Sequence, residues 1–412
     1  MRFSVLAALC LVSPVAAEFY LKEQFDDKWS DRWTVPTGWK SKADLGEWTH
    51  TSGKWYADEA DKGIQTSEDA RFYGLSAPLT KTFNSADGKD LVIQYEVKHE
   101  QKIDCGGAYI KLLPGGKKFD ADKFGGDTPY AVMFGPDICG GTKRTHVILH
   151  SDKKDDNLLI NKDVPCEKDQ LTHLYTLVVR PDNTFEVFTD NKSVRAGKLE
   201  EEFDFLADKE IKDPSQSKPA DWVEEAELED PDVVKPEGYD DIPAEMPDPD
   251  AKKPDDWDDE DDGEWEAPTV DNPDYQGPWM PQMMPNPAYK GSWVHPMIAN
   301  PDYSYDDKMH AVCSSGCTHV GFELWQVKAG TVFDNIIVTD SLAEAQAFAE
   351  ETYFKKKEDE QKMFDAQKEK DDAAEAEAMD GMDDMGDMGM GGMDMGDMGG
   401  MDMDDDMMGD EF

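Results

Sequence analysis

Positive charge is scarce in this sequence: 42 Lys and Arg stand against 91 Asp and Glu, a formal net charge of -49. A field of that sign repels phosphates, so nucleic acid is excluded as a partner. Cations, basic proteins and neutral polyhydroxyl ligands remain. Long apolar runs are also missing beyond the first residues, so no membrane span across a core of about 30 Å is expected. Apolar residues are 38% of the chain, too few for all of it to pack, though 412 residues suffice for one sizeable core with appendages. Cysteine is rare, and its distribution informs. Arg2, the apolar run 3–12 and the small residues Val15, Ala16 and Ala17 form a signal peptide over residues 1–17, which removes Cys10. Cys105, Cys139, Cys166, Cys313 and Cys317 then remain. In the oxidising compartment that a signal peptide implies, an odd number predicts at least one disulfide and one thiol left over.

Three composition regimes follow one another. Residues 18–204 carry short β-type runs: Leu91 to Val97, His146 to Leu149, Leu174 to Val179 and Phe185 to Phe188. Their alternation, with Gly and Pro-Asp-Asn turns between them, predicts an antiparallel sandwich. Strand-like sequence returns after residue 305, at Gly321 to Val327 and Thr331 to Val338. These runs have no sheet of their own and are expected to complete the first sandwich (306–341). A charged segment of good helix formers, 342–370, follows. Residues 371–412 hold sixteen acidic and no basic residues among Met and Gly, and are expected to be a disordered tail.

The intervening segment, 205–305, is rich in Pro, Asp, Glu and Trp and cannot form a core, yet it repeats. Ile211-Lys212-Asp213-Pro214 recurs as Leu228-Glu229-Asp230-Pro231 and Met246-Pro247-Asp248-Pro249. A second type follows, in which Gly263-Glu264-Trp265, Gly277-Pro278-Trp279 and Gly291-Ser292-Trp293 each precede an Asn-Pro pair: Asn272-Pro273, Asn286-Pro287 and Asn300-Pro301. Three units of one kind and then three of another predict an extended hairpin, each outgoing unit facing a returning one, with its tip near Trp257 to Trp265. The Trp and Tyr rings are expected to give each pair a miniature core.

Together with Lys98 to Gly107, Met133 to Gly140, Leu159 to Asp163 and Thr172 to Leu177, these repeats identify a resemblance to the calreticulin/calnexin family over roughly residues 18–345. Lacking a transmembrane segment, the chain resembles the family's soluble branch. The resemblance implies a mainly β fold, a legume-lectin-like (concanavalin A-like) sandwich with an inserted Pro-rich arm. It implies a Ca²⁺-binding lectin chaperone of the endoplasmic reticulum lumen, monomeric and not an enzyme, whose partners are monoglucosylated N-glycans and unfolded glycoproteins.

Position by position, the implied sugar site comprises Tyr109, Lys111, Tyr130, Met133, Asp137, Glu323 and Trp325. Carboxylates, Lys and Tyr hydroxyls suit sugar hydroxyls, and Met and aromatic faces suit the apolar side of the ring. Glu323 stands where calreticulins usually have Asp. The implied disulfide is Cys105 with Cys139, and Cys166 is the unpaired thiol. His173 has a family counterpart linked to chaperoning and reads equally well as a structural histidine. A single calcium site would use the Asp334 side chain and backbone carbonyls near Gln24, Ala60 and Lys62, and the acidic tail would add many weak sites. The arm tip, through Glu260, Asp262, Glu264 and Trp265, would recruit a disulfide-isomerase-type oxidoreductase. Residues 258–263 imitate an EF-hand start, but Thr269 stands where the bidentate Glu belongs.

The tail departs from the family's pattern in being Met-Asp-Gly-rich, and it ends in Gly409-Asp410-Glu411-Phe412 rather than a Lys/His-Asp-Glu-Leu address. His310, Cys313, Cys317 and His319 offer either a zinc site or a small disulfide, the latter favoured by the compartment. A calcium-storage protein with a weakened lectin face is the alternative function. A glycoside hydrolase would need two carboxylates flanking the scissile bond, and no compact pair stands on one strand.

Overall fold

The computed structural model describes residues 17–115, 119–255, 257 and 263–386, with side chains described as far as residue 374. The chain folds into two compact units, residues 207–303 and the remainder.

The larger unit is a sandwich of two antiparallel sheets. The eight-stranded sheet runs Lys192–Lys198, Thr184–Thr189, Thr172–Val179, Leu91–His99, Thr331–Thr339, Gly63–Thr66 and Trp48–Thr51, with Phe19–Glu23 paired onto Thr331–Thr339. The seven-stranded sheet runs Asp156–Leu159, Thr142–Ser151, Val132–Cys139, Cys105–Gly107, Cys317–Gln326 and Arg71–Phe83, with Ile110–Pro114 between Val132–Cys139 and Cys317–Gln326. The strands that follow the arm therefore lie inside the sheets: Cys317–Gln326 pairs with Arg71–Phe83, and Thr331–Thr339 with Leu91–His99. The predicted runs fall within these strands, except that Val327 lies one residue past the end of Cys317–Gln326.

Side chains of the two inner faces meet in one cluster, including Tyr73, Leu75, Tyr95, Phe134, Tyr175, Phe322 and Phe333. Thr331–Thr339 is buried at every position, because the helix Leu342–Glu351 covers its second face: Val92, Ile337, Ala345 and Phe348 pack together there. That helix begins with a serine N-cap. Ser341 accepts a hydrogen bond from the Glu344 N–H at 3.3 Å. It ends at Thr352, and a new helix runs Tyr353–Gly386. The expected boundary at residue 370 is thus overturned for residues 371–386, which are helical; the Ala and Glu there continue the helix-forming composition of the preceding turns. The rest of the tail, and all but Ala17 of the signal peptide, lie outside the described residues.

The smaller unit begins at Ala207, just after Phe203 and Phe205, which are still buried in the sandwich core. It is a hairpin of three two-stranded rungs: Glu210–Lys212 with Met297–Ala299, Glu227–Glu229 with Met283–Pro285, and Glu245–Pro247 with Thr269–Asp271. One bonding pattern serves all three. The Asn300, Asn286 and Asn272 amides donate to the carbonyls of Asp208, Glu225 and Pro243 at 2.8, 2.9 and 2.8 Å. Trp222 and Trp257 donate their indole N–H groups to the Gly291 and Gly263 carbonyls at 2.7 and 2.8 Å. Gly263, Gly277 and Gly291 share φ of 82°, 82° and 81°, the left-handed region that explains why each returning unit opens on Gly. The expected miniature cores are absent: no described residue of this unit is buried, and Tyr275 and Tyr289 are exposed. The rungs are linked by these hydrogen bonds, with the rings of Trp222, Trp279 and Trp293 only half-buried beside them.

Candidate functional site

Lys111 lies at the middle of the seven-stranded sheet, with Met133 opposite it on one side and Gly321 on the other. Because side chains alternate, Glu323 and Trp325 emerge on the same face as Lys111, and Met133 and Asp137 emerge there too. Their neighbours Val320, Phe322, Leu324, Val132, Phe134 and Ile138 point into the core. The register thus gathers Lys111, Met133, Asp137, Glu323 and Trp325 onto one outer face, although Glu323 and Trp325 follow the arm and the others precede it; Tyr109 and Tyr130 lie outside the strands.

The face is electrostatically tight. Lys111, 2% exposed, donates to Glu323 Oε2 at 2.6 Å. Its ammonium also sits 5.0 Å from the Tyr130 ring centre and 6.0 Å from that of Tyr109. A carboxylate and two rings so compensate a buried cation. Burial, followed by the charges of Glu323 and Asp137 and the nearby Tyr130, pushes the Tyr109 phenol well above its ordinary range. Burial and Glu323 act the same way on Tyr130. Both therefore stay protonated donors beside carboxylate acceptors. Trp325 is 38% exposed and rests on Phe72, ring centres 4.7 Å apart, which leaves one indole face free for a ligand. Cys105 and Cys139 oppose each other in register, one pair along from Gly106 and Ile138, and are bonded to one another.

A second constellation surrounds Asp334. Burial pushes its carboxyl well above the usual range, against the nearby ammonium of Lys356. The backbone turns sharply beyond it, with Asn335 at φ 50°, and the Asn335 amide oxygen accepts from Gln24 Nε2 at 3.3 Å. Gly63, next to Lys62, approaches so closely that a Cβ there would stand 3.1 Å from the Asp334 Cβ. Ala60 belongs to the turn that precedes it, its N–H donating to Asp58 Oδ1 at 2.9 Å. Asp334 offers one buried carboxylate, the kind of hard oxygen donor a hard cation takes, and here it accepts from the Asn335 backbone N–H and side-chain amide at 2.7 and 2.9 Å. Sequence reasoning missed Lys356, which lies 2.7 Å from Asp61, 3.1 Å from Glu96 and 3.5 Å from Asp334; a charged helix carries no mark of which lysine turns inward.

His173 is clamped between Asp169 at 2.9 Å and Asp190 at 3.2 Å. Burial alone would lower its imidazole, but both carboxylates outweigh it and raise it to about 9. Cys313 and Cys317 form a disulfide, so the zinc alternative fails: the sulfurs are committed to each other. Cys166 is a buried free thiol, which burial pushes up to about 11. Of the arm-tip residues, Glu264 is exposed and Trp265 only half so, while Glu260 and Asp262 lie outside the described residues.

The calreticulin family model matches residues 21–262 and 260–338. Calreticulin from Chlamydomonas reinhardtii is 56% identical over 369 residues, 89% of this chain and 86% of that protein. Calreticulin from Dictyostelium discoideum is 54% identical over 347 residues, 84% of this chain and 80% of that protein. Among solved structures, the T. cruzi calreticulin globular domain is similar at TM-score 0.60 and 30% identity, covering 85% of this chain and 99% of that one. Fold and family together define a class: non-enzymatic chaperones built on a lectin-type β-sandwich. The chain belongs to the calreticulin family, and so is an endoplasmic-reticulum lectin chaperone that binds glycoproteins and calcium.

Proposed function

We propose that the outer face of the seven-stranded sheet binds the glucose-capped arm of monoglucosylated N-glycans on folding glycoproteins. The observation that supports this reading is the convergence of Lys111, Glu323, Asp137, Tyr109 and Tyr130 on the sheet face that also carries the exposed Trp325. Asp137 and Glu323 accept from sugar hydroxyls, the two phenols donate, and the indole and Met133 cover the apolar ring face. Asp137→Ala tests it: in calorimetric titration with a glucosylated mannose oligosaccharide, binding is expected to vanish while the near-UV spectrum stays native. Undiminished binding would place the site elsewhere.

Calcium would be held at two levels. Asp334, with carbonyls near Gln24, Ala60 and Lys62, would supply hard oxygen ligands for one structural ion. The sixteen carboxylates of residues 371–412 would hold many weakly bound ones. Deleting 371–412 should remove most low-affinity capacity in equilibrium dialysis and spare sugar binding. Glu260, Asp262, Glu264 and Trp265 would dock the basic groove of a disulfide-isomerase-type oxidoreductase.

A further inference from the structure

The strand next to Asp137 supplies a residue that the sequence did not single out. His146 lies opposite Gly135, so no side chain of that neighbour stands beside it. Its ring stacks on Tyr109, with centres 5.9 Å apart and planes 24° apart. Its Nε2 is 3.4 Å from Asp137 Oδ2. Both ring nitrogens are shielded from solvent, and neither has a hydrogen-bond partner. Leaving a buried polar group unpaired costs about 1–3 kcal/mol, yet the fold keeps one between two residues of the sugar face.

We infer that His146 is a positioning residue of the sugar site: its N–H fixes the Asp137 carboxylate, and its ring backs Tyr109, when the sugar is bound. The inference rests on the sugar-site reading above. The charged and titratable groups that face the imidazole are Asp137 from Val132–Cys139, Arg144 from its own strand, Asp163 from the segment bridged to Thr145, and Tyr109 stacked on it. Burial pulls the imidazole below its ordinary value, against Asp137 and with Arg144. At neutral pH it is therefore an uncharged donor. Histidine is the side chain whose charge changes near neutrality, and protonation in acid would draw Asp137 into an ion pair. Sugar hydroxyls would then compete for that carboxylate, and affinity would fall.

The test titrates the full chain with a monoglucosylated mannose oligosaccharide at pH 7.4 and at mildly acid pH. It compares the wild type with His146→Phe, His146→Gln and Asp137→Ala, each checked for a native near-UV spectrum. His146→Phe keeps a ring against Tyr109 and loses the donor, so binding is expected to weaken about tenfold, equivalent to about 1.4 kcal/mol. His146→Gln restores a donor and should recover part of that loss. The wild type should weaken as the pH falls, and His146→Phe should show a shallower slope. Wild-type affinity in His146→Phe, or the wild-type pH slope persisting in it, would overturn the inference. If Asp137→Ala also binds normally, the sugar-site reading itself falls; if Asp137→Ala loses binding while His146→Phe does not, only the role of His146 is lost.

Discussion

The sandwich and the repeat arm solve the problem of staying folded by opposite means. In the sandwich, rings and aliphatic side chains from two sheets fill one continuous core, so burial of apolar area dominates. In the arm no described residue is buried, and order comes from three repeats of the same hydrogen bonds, on a backbone that Pro restricts before folding. The sandwich depends on partners far apart in sequence: Cys317–Gln326 pairs with Arg71–Phe83 only across the whole arm. Each rung depends mainly on its own two short segments. A long-range core concentrates functional side chains from distant positions on one face, whereas a ladder of local rungs tolerates exposure along its length.

That contrast predicts which changes spread and which stay local. The largest effect is expected from Cys105→Ser, which opens a disulfide spanning 34 residues in the seven-stranded sheet. On the chain-entropy model it costs about 3–4 kcal/mol; urea unfolding should show this in sandwich signals while arm amides keep their exchange rates. Equal loosening of both units would break the comparison. Next comes His173→Gln, with a loss of about 1–2 kcal/mol after discounting for solvent. Because the folded imidazole is raised to about 9, its contribution is complete below about pH 6.5 and fades as pH rises through about 9. Unfolding midpoints of wild type and variant should therefore differ at pH 6 and converge by pH 10; a constant gap would mean that packing, not charge, explains the loss.

Trp222→Ala is expected to cost about 1 kcal/mol within the arm, through the lost bond to the Gly291 carbonyl. Faster amide exchange near residues 222–230 and 283–291, with the sandwich unchanged, would confirm that rungs are local. Acceleration throughout the sandwich would contradict it. The smallest effect belongs to Glu323→Asp. Glu323 reaches Lys111 at 2.6 Å, and shortening the carboxylate by one methylene loosens that pair, freeing both groups for sugar. Affinity should rise a few-fold, under about 1 kcal/mol; a fall would show that the direct pair helps hold the ligand.

Legibility in the sequence followed the same divide. The rungs could be read and paired from repeats alone, because each is set by nearby Gly, Pro and Asn, although no described ring there is fully buried. Among the strands, Leu91–His99 and Thr172–Val179 announced themselves through β-branched and aromatic runs. Arg71–Phe83 did not, since its Gly, Ser, Ala and Pro make a strand only against Cys317–Gln326. The residues of the proposed sugar face were named through resemblance, but His146 was not, because its position depends on a register that composition does not encode. Lys356 and the helical break at Thr352 were hidden for a related reason: the sheet beneath, not local propensity, decides which helical residues turn inward.

Amide and indole chemical shifts of the isotope-labelled chain, followed during titration with a monoglucosylated mannose oligosaccharide, test the central claim most directly. The account predicts that Tyr109, Lys111 and Asp137, which precede the arm, move together with Glu323 and Trp325, which follow it, at one common saturation point. Shifts confined to one side of the arm, or clustered on another surface, would contradict it.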